Sequence, residues 1–407
     1  MKTREEIQDR LAWGEAEVWT AMEFKTRVRE GEVPGVDEVD IVTCGTFGVM
    51  SGTAAVMCVP VTRPGIFERA DAVTMEGVPC YPGPCPNERL GLVDLMVYGT
   101  AKASPRYGGG HLLRDLADGK EVEVIVESGG KTYEHTTHLD EIPFARVITT
   151  RSAFKNYAAF VNRAAGPVDT IFSVTPLPGN ASQVTVSGCG EINPLANDPY
   201  LTHITPGYPL MLNGSAGYVM GEGTRSTPEK PNIAAFADLS GMVSEFMGGF
   251  VTSGGPECLT SVAVPLPVLS EADIARLSVF DEGCSLPVND IETRTTLAET
   301  TYADIWQGTE TMVTVHPEYC LFCGTCTAAE ACPTRAIMMG GGIMHARCVA
   351  CGTCVGACPN GVYMMEMGTV PVEGARVPVA LRQSDRNRAE RICDYLKQEI
   401  LSGVFRW

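Results

Sequence analysis

The chain has 407 residues, enough for two or three domains around a large buried core. Its formal net charge of −18 repels phosphate backbones and anionic lipid, so neither nucleic acid nor a membrane surface is expected as a partner. Sixteen cysteines would suit a disulfide-rich secreted protein. However, the opening MKTREEIQDR is charged and amphipathic rather than a leader, and eight of the thiols fall in ligand-like spacing, so a reduced cytoplasm is expected.

In chain order, Thr3 with Glu6 and Thr20 with Glu23 have capping-box spacing and predict two short helices. Residues 39–42 read as a buried strand emptying into CGTFGVMSG, from Cys44 to Gly52. Closely spaced glycines there leave backbone N–H groups free to face a ligand, as in anion-binding nests. The uncharged run 41–62 is interrupted by Gly, Thr, Ser and Pro, which favours strand and loop over a membrane span. Residues 72–75 and 78–81 predict a hairpin. It leads to Cys80-Tyr-Pro-Gly-Pro-Cys85, a stiff loop that presents two thiols. Cys44, Cys80 and Cys85 are therefore the candidates for sulfur-carrying or catalytic work, each with buried structural cysteine as the alternative. Arg89 stands near enough in sequence to favour a thiolate at Cys85.

Residues 93–98 predict a strand, after which Tyr107-Gly-Gly-Gly-His111 opens a helix. Three glycines at a helix start suit a carboxylate or phosphate, with His111 as proton donor or as a turn cap. Arg89, Arg106, Arg114, Arg151 and Arg225 are candidates to grip a substrate carboxylate. A helix is expected over 154–161, followed by strands with glycine-rich joints. From residue 384 the tail predicts a helix with Ala389, Ile392, Cys393, Leu396 and Ile400 on one stripe, docked on the main domain or forming a dimer contact.

The densest motif is CLFCGTCTAAEACP, from Cys320, repeated as CVACGTCVGACP, from Cys348. Two such triple spacings, each with a further cysteine before proline, resemble the 2[4Fe-4S] ferredoxin family. Tetrahedral zinc is the alternative for C-x-x-C. The resemblance implies two [4Fe-4S] clusters, one on Cys320, Cys323, Cys326 and Cys358 and the other on Cys348, Cys351, Cys354 and Cys332. Five residues separate Cys326 from Cys332 but only three separate Cys354 from Cys358, a departure from the family pattern.

The strings VTCGTFGVMSG, GVPCYPGPCPNERLG, YGGGHLLRDLADGKEVEV, SGCGEINPLANDP and GSAGYVMGEGT resemble the homocysteine-biosynthesis domain of the L-aspartate semialdehyde sulfurtransferase family. With the cysteine repeat, the whole chain is similar to the methanogenesis marker protein 16 metalloproteins. This implies a glycine-rich α+β (mixed α/β) N-terminal domain over 1–310, a bacterial-type ferredoxin-like 2[4Fe-4S] domain over 311–370, and a C-terminal link and amphipathic helix over 371–407. The implied activity is sulfur insertion into a small aldehyde with ferredoxin-type electrons, which would call for a small aldehyde or acid, a sulfide donor and a redox partner protein. An accessory protein that carries electrons or sulfur to a methanogenic enzyme is the rival reading. Where that family carries a nucleophilic cysteine after GTFG, this chain has Ser51, so persulfide chemistry would fall to Cys44, Cys80 or Cys85.

Overall fold

The structure is a computed structural model that describes residues 1–83, 85–155 and 157–407. Pro84, in the expected Cys80–Cys85 loop, and Asn156, in the expected 154–161 helix, lie outside the described residues. Both N-terminal helices, Arg4–Trp13 and Ala21–Arg29, start at the expected capping boxes. The Thr3 hydroxyl accepts from the Glu6 N–H at 3.2 Å and the Glu6 carboxylate accepts from the Thr3 N–H at 2.7 Å, which satisfies two otherwise orphaned donors.

The body is built on one large, mostly antiparallel sheet of fourteen strands among the described residues. Strand Ile41–Val49 lies near one end, parallel to Val18–Thr20 and antiparallel to Gly255–Pro267. The expected hairpin forms between Ala72–Met75 and Val78–Pro82 at the far side of the sheet, next to Val122–Ser128.

The glycine-rich stretch after Cys44 is not a loop. Gly45 and Gly48 continue the ladder, paired with Ala263 and Thr260. What the glycines provide is clearance. A Cβ on Gly45 would lie 2.6 Å from Cys393 Sγ and 2.7 Å from the Ala389 carbonyl oxygen, and one on Gly48 would lie 2.7 Å from Ser384 Oγ. The missing side chains thin one face of the strand so that the C-terminal helix, Arg386–Leu401, lies directly across it. The predicted stripe of that helix, Ala389, Ile392, Cys393, Leu396 and Ile400, is buried against the body. Among the described residues of 154–161 no helix forms either. Strand Phe144–Phe154 runs to that point, and Ala159–Val161 pairs in parallel with Ser285–Asp290, so long-range pairing overrides the local helical pattern.

A second sheet of six strands among the described residues carries the cysteine-rich segment. The chain leaves it after strand Thr296–Thr301 and helix Ala303–Trp306, and returns through Thr369–Val372 and Ala375–Arg382. Ala375–Arg382 pairs in parallel with Val184–Val186. The intervening segment is closed at its neck by Thr314–Val315 paired with Tyr363–Met364. Inside it, the short helices Thr327–Ala331 and Thr353–Ala357 pack on each other, and a single bridge joins Ile337 to Ile343. No helix among the described residues is long and apolar enough to cross a membrane.

The contact at Gly45 is with helix backbone as well as a side chain, so it cannot be relieved by a rotamer change. Gly45→Ala is expected to lower stability by about 1–3 kcal/mol through overpacking. The check is a urea unfolding curve, whose midpoint should fall with little change in slope.

Candidate functional site

The three candidate thiols are scattered. Cys44 is fully buried on Ile41–Val49, and burial pushes its thiol up to about 12 although the Lys25 ammonium pulls it down. Lys25 is itself buried and donates to Asn197 Oδ1 at 3.0 Å and to the Leu277 and Val279 carbonyls at 2.7 Å. Cys80 is buried in its hairpin strand, donates to the Val78 carbonyl at 3.4 Å and is likewise raised to about 12 by burial. Cys85 is exposed. Arg89 pairs with Glu68 at 2.6 Å on the surface. Among the described residues no hydrogen bond joins residues 72–98 to the cysteine-rich segment.

Ser51 is exposed in the turn between Ile41–Val49 and Thr53–Pro60. It lies beside Glu257, a buried carboxyl whose Oε2 has no partner among the described residues. Burial raises the Glu257 pKa, and Ser51 partly offsets the rise. Sequence reading passed over Glu257, although it is the single charge in the otherwise uncharged strand GPECLTSVAVPLP.

The glycine amides before His111 are occupied, so the expected anion pocket does not form there. Gly109 N–H donates to the Ala101 carbonyl and Gly110 N–H to the Gly99 carbonyl, each at 2.8 Å. Gly108 N–H donates to His111 Nδ1 at 3.3 Å, so His111 caps the turn of helix Gly109–Ala117. Burial first, then Arg335 and Arg106, lowers its pKa to about 4, while Asp115 works in the other direction. With Nδ1 accepting, the neutral ring carries its proton on Nε2, a buried atom with no partner among the described residues.

The paired cysteine runs converge in two groups. Cys320, Cys323, Cys326 and Cys358 line one hollow together with Phe322, Met339 and Tyr363. Cys332 belongs instead with the second run. Burial raises Cys354 to about 12, and the neighbouring Cys348 and Cys332 add to that rise. Cys351 is raised by burial and then by Cys332. Each group thus combines three thiols of one run with the fourth of the other, the donor set that two cubane clusters require. The buried Tyr363 hydroxyl, which has no partner among the described residues, lines the first hollow and lies within electrostatic reach of Cys326, Cys354, Cys358 and Cys320, so that burial first and then these thiols raise its pKa. Among the described residues no three ligating side chains reach the close spacing of a single-ion site.

The group with Cys332 faces the body, and arginines stitch it there. Arg106 donates to the Glu330 carbonyl and, at 3.0 Å, to that of Cys332. Arg114 donates to the Ala346 carbonyl at 3.1 Å. Arg388, buried in the first turn of the C-terminal helix, donates to the carbonyls of Glu245, His345, Ala346 and Cys348. Two of the five arginines considered for a substrate carboxylate, Arg106 and Arg114, are therefore committed to holding the cysteine-rich segment. A cavity of about 310 Å³ opens at this junction, lined by Cys348, Glu245, His345, Asp385, Asn387 and Arg391 among others.

The sequence profile of the family described as "Homocysteine biosynthesis enzyme, sulfur-incorporation" matches residues 16–407, and the chain belongs to that family. It is 48% identical, over 98% of its length and 93% of the relative's, to an uncharacterised protein of Methanothermobacter thermautotrophicus. A second uncharacterised protein, from Methanocaldococcus jannaschii, is 36% identical over 96% of this chain and 99% of its own. The L-aspartate semialdehyde sulfurtransferase of the same organism is 30% identical over 77% of this chain, a match that spans 64% of the sulfurtransferase. No solved structure matches.

Two outcomes follow from the thiol and histidine environments. Under native anaerobic conditions, alkylation should modify Cys85 quickly and leave Cys44 and Cys80 unmodified, as read by peptide mass mapping. For His111, the folded pKa near 4 lies below the ordinary value of 6.5, so the unfolded chain binds the extra proton between them. Its contribution to stability is complete above about pH 6.5 and is lost as the pH falls towards 4. Urea midpoints should therefore drop less between pH 7 and 5 in His111→Gln than in the wild type.

Proposed function

We propose that the protein carries out reductive sulfur incorporation into a small amino-acid aldehyde of the L-aspartate semialdehyde type, using two [4Fe-4S] clusters in a reducing cytoplasm. The observation that carries this reading is the cavity against Cys348. It brings a space of small-metabolite size next to one complete four-cysteine group. Cys320, Cys323, Cys326 and Cys358 would hold the outer cluster, and Cys348, Cys351, Cys354 and Cys332 the inner one. When bound, each cluster supplies one electron at a time, which matches the two electrons and two protons needed to turn an aldehyde and hydrogen sulfide into a thiol and water.

The chain's own residues recognise the substrate. Arg391 pairs with Glu245 at 2.9 Å across the cavity, and Asn387 and Asp385 stand beside them. A guanidinium for the carboxylate and a carboxylate for the ammonium would fit the zwitterionic end of an α-amino acid. Because Ser51 replaces the expected cysteine and Cys44 and Cys80 are buried, sulfide is taken as a co-substrate rather than carried as a persulfide on those residues.

An electron- or sulfur-carrying accessory role is the second reading. It is favoured by the exposed apolar side chains Leu321, Phe322 and Met339 at the outer hollow, 72%, 74% and 75% exposed, which suit a protein partner.

Purified holoprotein incubated with L-aspartate semialdehyde, sulfide and a low-potential reductant should form homocysteine. Arg391→Ala should raise KM at least tenfold with a smaller change in kcat, the pattern of a lost binding contact. No product under conditions that turn over a related sulfurtransferase would reject the enzymatic reading in favour of the accessory one.

A further inference from the structure

The two cysteine groups sit in unequal electrostatic surroundings, and the inequality sets a direction. Reduction adds a negative charge to an already anionic centre, so positive charge and hydrogen-bond donors aimed at the sulfurs favour the reduced state, whereas burial disfavours it. At the outer group, Asn360 Nδ2 donates to Cys323 Sγ at 3.7 Å, Cys323 is solvent-exposed, and among the described residues no basic side chain lines the hollow.

The inner group is more buried but far better supplied. Ala336 N–H donates to Cys332 Sγ at 3.2 Å and Ala350 N–H to Cys348 Sγ at 3.4 Å. The Thr353 hydroxyl lies 3.3 Å from Cys351 Sγ and must donate once that sulfur is a ligating thiolate. Around these sit the guanidinium groups of Arg106 and Arg388, bonded to the Cys332 and Cys348 carbonyls, with Arg114 bonded at Ala346 and Arg335 bonded to the Arg106 carbonyl at 2.7 Å. On a chain of net charge −18 this concentration of cations at one site is not a general surface property. Fixed backbone donors replace the water that burial removes, and the arginines add charge that water would not supply. Burial opposes these groups, and Asp385 and Asp118 partly compensate Arg388 and Arg114, which leaves Arg106 and Arg335, without a carboxylate partner among the described ion pairs, and the three donors aimed at sulfur as the groups that favour added negative charge there.

We infer that the inner four-cysteine centre is the one reduced at higher potential, so that electrons enter at the solvent-facing centre and collect at the inner one, beside the body, with Arg106 as a positioning and tuning residue. The inference rests on the cluster reading proposed above. Arg106 does not touch substrate in this account. It acts through the Cys332 backbone and its field at the inner sulfurs.

The test is an EPR-monitored redox titration of the full-length protein, isolated anaerobically with its iron in place. Wild type is compared with Arg106→Gln, Arg106→Lys, Thr353→Val and Asn360→Ala. The expected result is two resolved one-electron steps. Arg106→Gln and Thr353→Val should both shift the higher-potential step downward, Arg106→Lys should leave it nearer the wild-type position, and Asn360→Ala should move only the other step. The inference is overturned if Arg106→Gln and Thr353→Val move only the lower-potential step or neither, or if the wild type titrates as one unresolved wave. Unmoved steps in iron-loaded protein overturn this inference alone. A chain that holds no iron overturns it together with the cluster reading.

Discussion

Arg388 ties the C-terminal helix, the large sheet and the cysteine-rich segment into one unit. Its guanidinium is almost fully buried, lies over the Phe47 ring at 5.4 Å and donates to four backbone carbonyls, three of them between His345 and Cys348. Its charge is compensated by Asp385 at 3.3 Å, the residue that also caps the helix by accepting from the Arg388 N–H. Hydrogen bonds from a charged donor contribute about 1.5–3 kcal/mol each, and a buried charge without partners would be prohibitive, so the arrangement holds as a set. The helix that carries Arg388 can reach this position only because Gly45 and Gly48 leave room beside Ile41–Val49.

That joint explains why the cysteine-rich segment does not hang from the body as a tethered module. It leaves the second sheet after one edge strand, Thr296–Thr301, and re-enters at the other, Thr369–Val372, and the strand that follows bonds back to it, with Arg382 N–H donating to the Cys351 carbonyl at 3.0 Å. Val251 N–H donates to the Pro333 carbonyl at 3.0 Å on the other flank. The group containing Cys332 is thereby clamped from both sides, while the group containing Cys323 faces solvent. One end of the segment is open to solvent and the other borders a cavity of about 310 Å³.

Local signals in the sequence predicted local structure well. The capping boxes at Thr3 and Thr20, the 72–81 hairpin and the apolar stripe of the last helix each depend on contacts within a few residues. Glycine was harder to read. The spacing of Gly45, Gly48 and Gly108–Gly110 suggested exposed amides for an anion, yet these glycines serve close packing, because what they admit comes from distant parts of the chain. The same limit applies to 154–161, where a strand partner more than a hundred residues away decides the outcome. Cys332 lies near Cys351 and Cys354 although its run has the longer spacing. Arg388, Glu257 and the cavity at Cys348 carried no motif, and only the fold brings their partners together.

The account turns on the two four-thiol groups holding iron–sulfur clusters rather than lone metal ions or nothing. Iron and acid-labile sulfide determined on anaerobically isolated full-length protein test this most directly. The account predicts about eight of each per chain, four for each cubane. Iron and sulfide near zero, or one to two zinc ions without sulfide, would contradict it.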